Sequence, residues 1–349
     1  MNQIGKNLKR IRLLKNLSLE KAGILMNMSA PAISKYEKGL IVPNSQKLIE
    51  FANAYNVKVI DLLKTYSTPQ MSFHSFRKKQ RLQGQNLNLL KEIIQNKVSD
   101  YLEVLEMNNI QDNHFKLKRY ECINSDDAEE AAYLFRKDYQ LSINQPISDL
   151  INVLENIGIV ILQIDNTDEK FSDFDGLSEI VNGIPIIALL KDVDGARQRF
   201  TIAHELGHLV LNIINNEHDE EKLCNAFAGS LLMPKDAVIK EFGDSRTSIS
   251  LFELKAFKME YKVSLQAILY RLKELGIISD YLYRTINISF SSMGIRKKEP
   301  IEIIPEESFQ FIKLVHKLEN NNIISLNKAC ELLGLSVDEY HKEDNNYWY

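Results

Sequence analysis

Cysteine is scarce and scattered. The chain of 349 residues has three, Cys122, Cys224 and Cys330, and an odd number at such wide spacing excludes a disulfide framework and fits reduced thiols. Long apolar runs are missing too. None approaches the roughly eighteen residues of a membrane-spanning helix, and the first residues lack the charged, apolar and small-residue succession of a secretion signal, so a cytoplasmic protein is expected. There is no internal repeat and no low-complexity tract, and nothing in the composition points to disorder. What remains is a chain with 44% hydrophobic residues, enough for ordinary cores, in a length that accommodates two or three domains.

Charge is spread unevenly. The formal net charge is -4, yet residues 1–66 hold eleven lysines and arginines against four acids, an excess of +7 that leaves -11 for the remainder. A small basic module on an acidic body is the pattern of a chain in which only the module meets a polyanion. The module reads as a series of short helices. Ile4, Leu8, Ile11 and Leu14 form one apolar stripe, and Ser18 caps a second stretch over 19–26. Ser29 opens a third, with Ile33 and Tyr36 facing inward, and Leu48, Phe51, Ala52 and Tyr55 mark a fourth.

Residues 68–85 mix proline, serine and the run Arg77-Lys78-Lys79 as a linker does. Leu90, Ile93, Ile94, Val98, Leu102 and Leu105 then recur at spacings of three and four, predicting a helix over 88–107 that braces the body behind it. Further helices are predicted over 127–138 and 146–155, and strands over 157–164, 176–181 and 184–190. Asn182-Gly183 between the last two strands is a strong hairpin signal. A helical hairpin is expected over 248–278 and another small helical unit over 306–340, while His74, His114, His316 and His341 read as ordinary surface or core histidines.

Residues 200–211 read F-T-I-A-H-E-L-G-H-L-V-L. On a helix, His204 and His208 share one face, so both imidazoles reach a single metal while Glu205 points at a water bound to it; this is the H-E-x-x-H pattern of a zinc-dependent hydrolase. The neighbours Ile202, Ala203, Leu206, Leu209 and Val210 bury this helix, where unpaired polar groups are costly and a metal relieves them. A third protein ligand is required, and the candidates are His218, Asp219, Glu220 and Glu221, at the head of a helix predicted to end near Pro234. Glu221 is placed to point inward, whereas Asp219 and Glu220 are expected to stay solvated at the helix N-terminus, where negative charge is favoured.

At these residues the chain resembles the ImmA/IrrE family of metallopeptidases (the DUF955 domain). The family pattern R-F-T-x-A-H-E-x-G-H appears as Arg199-Phe200-Thr201-Ile202-Ala203-His204-Glu205-Leu206-Gly207-His208, and E-x-x-A-N-x-F-A-x-x-L-L-M-P as the run from Glu221 to Pro234. The resemblance implies that His204, His208 and Glu221 hold the metal, that Glu205 is the general base and that Asn225 supports the ligands from behind. The metal implied is zinc, with manganese or iron able to use the same donors. Cys224 stands where the family usually has alanine and reads as a buried apolar thiol. Residues 263–279 resemble the tail of the same family.

The N-terminal module resembles a helix-turn-helix domain of the Xre or Cro/C1 type over residues 4–63. The likeness rests on Ile4-Gly5, Leu8 and Ile11-Arg12, on Ser29, Ile33-Ser34 and Tyr36-Glu37 with Gly39, and on Pro43, Val57, Val59 and Leu62-Leu63. It implies that the third helix enters the major groove, so that Ser29, Ala30, Ala32, Ser34, Lys35 and Lys38 meet DNA. Alanine and serine offer a methyl group or one hydroxyl and no bidentate contact, so direct base readout is expected to be modest. Leu19 replaces a glutamine that commonly touches a phosphate, and Ala22-Gly23 replaces Leu-Ala.

The fold class expected is α+β, mainly helical, in four segments. These are a five-helix helix-turn-helix domain over 1–66, a linker and bracing helix over 67–115, a zincin-like metallopeptidase domain with a small antiparallel-rich sheet over 116–245, and a helical C-terminal region over 246–349. The resemblances together imply a DNA-binding regulator whose zinc-dependent endopeptidase cleaves a phage-type or stress-response repressor, encoded on a mobile element or in a stress regulon. Partners would be DNA, the protein substrate and, as a homodimer, a second copy; no membrane is involved. The alternatives are a regulator that uses the metallopeptidase fold as a sensor without turnover, and a toxin–antitoxin component. Glu205 weighs against the sensor, because a purely structural zinc site needs no general base.

Overall fold

Side-chain caps set the helix starts of the basic module. In the computed structural model, which describes residues 3–15, 17–63, 71–73, 84–110, 117–166, 169–214 and 219–346, the module contains α1 (Gln3–Leu14), α2 (Leu19–Leu25), α3 (Ala30–Glu37), α4 (Ser45–Tyr55) and α5 (Val59–Leu63). The side chains of Ser18, Ser29 and Asn44 each accept a hydrogen bond from a backbone amide in the first turn of the helix they open, satisfying donors that a helix cannot pair internally. Leu8, Ile11, Ala22, Ile33, Phe51, Tyr55 and Leu62 form the core between these helices. Arg12 and Glu37 are buried together as a two-pronged ion pair, at 2.5 and 3.0 Å. That pair removes one base and one acid, so the basic excess resides on the other residues.

A long helix follows, α6 (Gly84–Met107), which begins four residues before the expected start. Its residues up to Glu103 fall with the first five helices in one unit, Met1–Met71 with Gln80–Glu103, and its last turn falls in the other, Ser72–Lys79 with Val104–Tyr349. Arg10 of α1 donates to Asn96 of α6 at 3.2 Å.

The second unit continues with β1 (Tyr120–Cys122), α7 (Ser125–Asp138), α8 (Leu150–Asn156), β2 (Val160–Ile164), β3 (Gly176–Val181), β4 (Ile184–Leu190), α9 (Gly195–Val210), β5 (Leu211–Ile213) and α10 (Glu220–Leu232). The chain ends in α11 (Lys235–Phe242), α12 (Leu251–Tyr261), α13 (Leu265–Glu274), α14 (Asp280–Ser292), α15 (Gln310–Asn320), α16 (Leu326–Leu333) and α17 (Val337–Asn346). The whole is mainly helical α+β. No helix among the described residues is long and apolar enough to cross a membrane, and Cys122, Cys224 and Cys330 are buried and form no disulfide.

Two boundaries differ from the sequence expectation for local reasons. α8 starts after Asp149, whose side chain accepts from the Asn152 amide and caps it. β2 starts at Val160, because Ile157 closes α8 and Gly158, at φ +94°, turns the chain before the strand can begin. The sheet is also mixed where antiparallel pairing was expected to dominate. Asn182 and Gly183, at φ 50° and 80°, reverse the chain between β3 and β4, and those strands pair antiparallel. The reversal returns β4 between its neighbours in the same direction as β2, so β2 and β4 pair parallel. β1 and β5 form a separate parallel pair.

β4 is central in its sheet and buried along its whole length. α9 packs against β3, β4 and α10, and α10 against α7, around Phe135, Leu206, Leu223, Phe227 and Leu231. Two arginines close the end of α10: Arg136 donates to the Leu231 carbonyl at 2.9 and 2.5 Å, and Arg271 to the Met233 carbonyl at 3.2 Å. The start of α9 is held by residues from much later in the chain. Gly195 donates to the Ile303 carbonyl at 2.8 Å, and Arg199 forms a buried ion pair with Glu306. The Glu306 carboxylate also accepts from the amides of Leu150 and Ile151, at 2.7 and 2.9 Å. Removing it would leave the Arg199 charge buried without its counterion and the Leu150 and Ile151 amides without this acceptor. Glu306→Ala should therefore lower the stability of this unit by about 3–5 kcal/mol, read as a fall in its denaturant midpoint.

Candidate active site

Two helices carry the candidate donors, and a glycine lets them meet. α9 is capped by Asp194, which accepts from the Ala196 amide at 3.0 Å, and it presents His204, Glu205 and His208 within two turns. α10 is capped by Asp219, which accepts from the Glu221 amide at 3.1 Å. Between them lies Gly207, where a Cβ would meet the Cα of Cys224 at 3.2 Å and its Sγ at 3.3 Å. The close approach brings the start of α10 to the H-E-x-x-H face, and the missing side chain at 207 accommodates a sulfur at 224.

The donor atoms form a compact triangle. His204 Nε2 and His208 Nε2 are 3.2 Å apart, and the Glu221 carboxylate lies 3.3 Å from the first through Oε2 and 3.5 Å from the second through Oε1. Four donors placed tetrahedrally at zinc bond lengths of about 2.0–2.1 Å are themselves about 3.3–3.4 Å apart, so the two ring nitrogens have the spacing of two such donors, and the Glu221 carboxylate lies against both. Among the described residues, this is the group of His, Cys, Asp and Glu donors that could hold a metal ion.

The outward nitrogens of the rings support the same fit. His204 Nδ1 lies 2.8 Å from Asn225 Oδ1, and His208 Nδ1 lies 2.9 Å from Glu220 Oε1. Each acceptor calls for a proton on Nδ1, which leaves the Nε2 lone pairs facing each other and a carboxylate. Such an arrangement repels itself unless a cation stands between the donors, so the donor set fits a metal.

Glu205 is only 3% exposed. Its Oε2 accepts from the Ser178 hydroxyl of β3 at 2.7 Å. β3 comes this close because a Cβ at Gly176 would stand 2.7 Å from Thr201 Cγ2 and 3.0 Å from Glu205 Cγ. Strand alternation puts residues 176, 178 and 180 on the α9 side and Glu179 on the other. There Glu179 accepts from the amides of Ser72 and Phe73, at 2.5 and 3.1 Å. β3 is the outer strand of its sheet, so a strand edge runs beside Glu205.

The structure brings together His204, Glu205, His208, Glu221 and Asn225. Glu220, expected to stay solvated, is 42% exposed and also turns its carboxylate onto His208. His218 lies outside the described residues. Ser178 was missed by the sequence reading, since a serine in a half-buried strand carries no signal of its own. Arg199, although part of the motif, lies not at the donors but in the ion pair with Glu306. His316 Nδ1 is hydrogen-bonded with the Tyr340 hydroxyl at 2.8 Å, away from the donors. In the first unit, Ser29 spends its hydroxyl on the α3 cap, Lys35 and Lys38 are exposed, and Ala30, Ala32 and Ser34 are partly exposed.

Known proteins with similar sequences match part of the chain. The radiation response metalloprotease IrrE of Deinococcus deserti is 32% identical over 106 residues, covering 26% of this chain and 36% of that protein. Its namesake in Deinococcus radiodurans is 32% identical over 95 residues, covering 22% of this chain and 27% of that protein. The chain thus spans about a third of the length of these curated relatives. Among solved structures, the SHP pheromone receptor Rgg2 of Streptococcus dysgalactiae aligns over 98% of this chain and 99% of its own at 13% identity, with a TM-score of 0.17, too low to mark a shared fold. Family profiles match residues 8–62 as a helix-turn-helix and residues 154–273 as an IrrE N-terminal-like domain of the M78 peptidases. The chain therefore joins an N-terminal helix-turn-helix domain to an IrrE N-terminal-like domain.

Proposed function

We propose that the protein is a DNA-binding regulator that carries a zinc-dependent endopeptidase, and that its substrate is a transcriptional repressor of the phage or stress-response type. The observation that carries the proposal is the cluster of His204, His208 and Glu221 donors, with the ring nitrogens 3.2 Å apart, a Glu221 oxygen 3.3–3.5 Å from each, and buried Glu205 beside it. Zinc held by these three residues supplies Lewis acidity toward a water and a peptide carbonyl. Glu205 takes a proton from the attacking water and returns it to the leaving amine nitrogen. Ser178 holds Oε2, which orients the carboxylate so that Oε1 is the oxygen that moves the proton. The outer edge of β3 pairs with an extended peptide through backbone hydrogen bonds and presents it to Glu205.

The reading is tested by incubating the zinc-loaded protein with repressors encoded beside its gene and reading intact masses. Two fragments that sum to the substrate plus one water support it, and an intact repressor in every pairing overturns it. The DNA-binding part makes a separate prediction. With few side chains on α3 able to read bases, binding rests on phosphates, so affinity for the region upstream of the gene should fall steeply with salt. Lys35→Ala should weaken binding to all sequences alike. Gel shifts across a salt series check this, and a salt-independent association would favour a protein-contact module.

A further inference from the structure

α10 opens with two consecutive glutamates that face different atoms. Glu221 turns its carboxylate to the Nε2 atoms of both histidines, while Glu220 turns its own to the opposite nitrogen of one ring, His208 Nδ1, at 2.9 Å. A glutamate in the first turn of a helix needs no partner, since water and the helix dipole already stabilise it. This one is 42% exposed and still lies against the imidazole.

We infer that Glu220 is a positioning residue for the metal centre, acting on His208 and not on the ion. The inference rests on reading the donor triangle as a metal site. Accepting the Nδ1 proton selects the tautomer whose Nε2 lone pair points into the triangle, and fixes the ring plane. The opposite tautomer would direct an N–H toward His204 Nε2, 3.2 Å away, where it would compete with a cation. The two histidines are held unequally. His204 is backed by the amide oxygen of Asn225, from the middle of α10, and His208 by the carboxylate of the first residue of that helix.

The test is metal affinity in the full-length chain, with no substrate involved. Zinc affinity is measured by competition with a chromophoric chelator, coordination by the visible spectrum of the cobalt-loaded protein, and the apo fold by far-ultraviolet circular dichroism. Glu220→Ala is expected to bind zinc about 10–100-fold more weakly and to alter the cobalt bands. Glu220→Gln keeps an oxygen that accepts from Nδ1 and should lose much less; it also keeps the length of the side chain, so the test stands even if alanine disturbs the first turn of α10. Zinc binding by Glu220→Ala equal to wild type overturns the inference. Equal losses in the two variants overturn it too, because the effect would then be that of a nearby negative charge and not of a hydrogen-bond acceptor. A wild-type chain that takes up neither zinc nor cobalt overturns the metal-centre reading and this inference with it.

Discussion

Glu205→Gln should keep its zinc and its protein partner while cleavage falls by about a hundredfold or more, the scale expected when a general base is removed. The substitution preserves size and leaves an oxygen to accept from the Ser178 hydroxyl, which donates to Glu205 Oε2 at 2.7 Å, so the ring positions of His204 and His208 need not change. What is lost is the ability to take a proton. Glu205 is nearly sealed from bulk water. The comparison is wild type against variant, with metal content measured on the same samples and cleavage followed by intact mass. A catalytically silent variant should also hold its substrate long enough to be captured with it. If the two proteins relieve repression equally in cells, proteolysis is not the output, and a sensor that works without turnover takes its place.

His204→Ala and Glu221→Ala should each lose bound zinc when purified. Each substitution deletes one of the three donors whose atoms lie within 4.8 Å of one another, and two remaining donors make a weak site. A ligand that binds only the folded state stabilises it by mass action, about 4 kcal/mol at a thousandfold excess over its dissociation constant. Zinc should therefore raise the unfolding midpoint of wild type and of Glu205→Gln, and a chelator should reverse the rise. Neither ligand variant should respond. Elemental analysis of the purified proteins decides the matter, and full stoichiometry in Glu221→Ala would hand the third position to another residue, such as Glu220 or His218.

What could be read from the sequence follows from short-range geometry. The i, i+4 spacing of His204 and His208 puts both rings on one helix face whatever surrounds them. The caps at Ser18 and Ser29 act on amides within three residues, and the Asn182-Gly183 turn is closed by its own backbone angles. The apolar stripe over Leu8, Ile11, Phe51 and Tyr55 likewise needs only helical periodicity. Family resemblance extended that reach to Glu221 and Asn225, because the second motif sits at a recognisable distance from the first.

Other features depended on which distant segments pack together, and no local pattern encodes that. Ser178 reaches Glu205 across 27 residues of sequence because β3 lies on α9 at Gly176. The Arg199 ion pair spans 107 residues to Glu306. Whether Glu220 stays in water or turns to His208 is settled by the separation of α9 and α10, which Gly207 and Cys224 set through their contact. α6 shows the same limit, since periodicity predicts a helix and its apolar face but not the unit that covers it. The chemistry of the donors and the helix that presents two of them are therefore local properties, legible residue by residue. The distances between α9, α10 and β3 are not, because they come from side chains packing at positions far apart in the chain, and those distances select which polar group supports which donor.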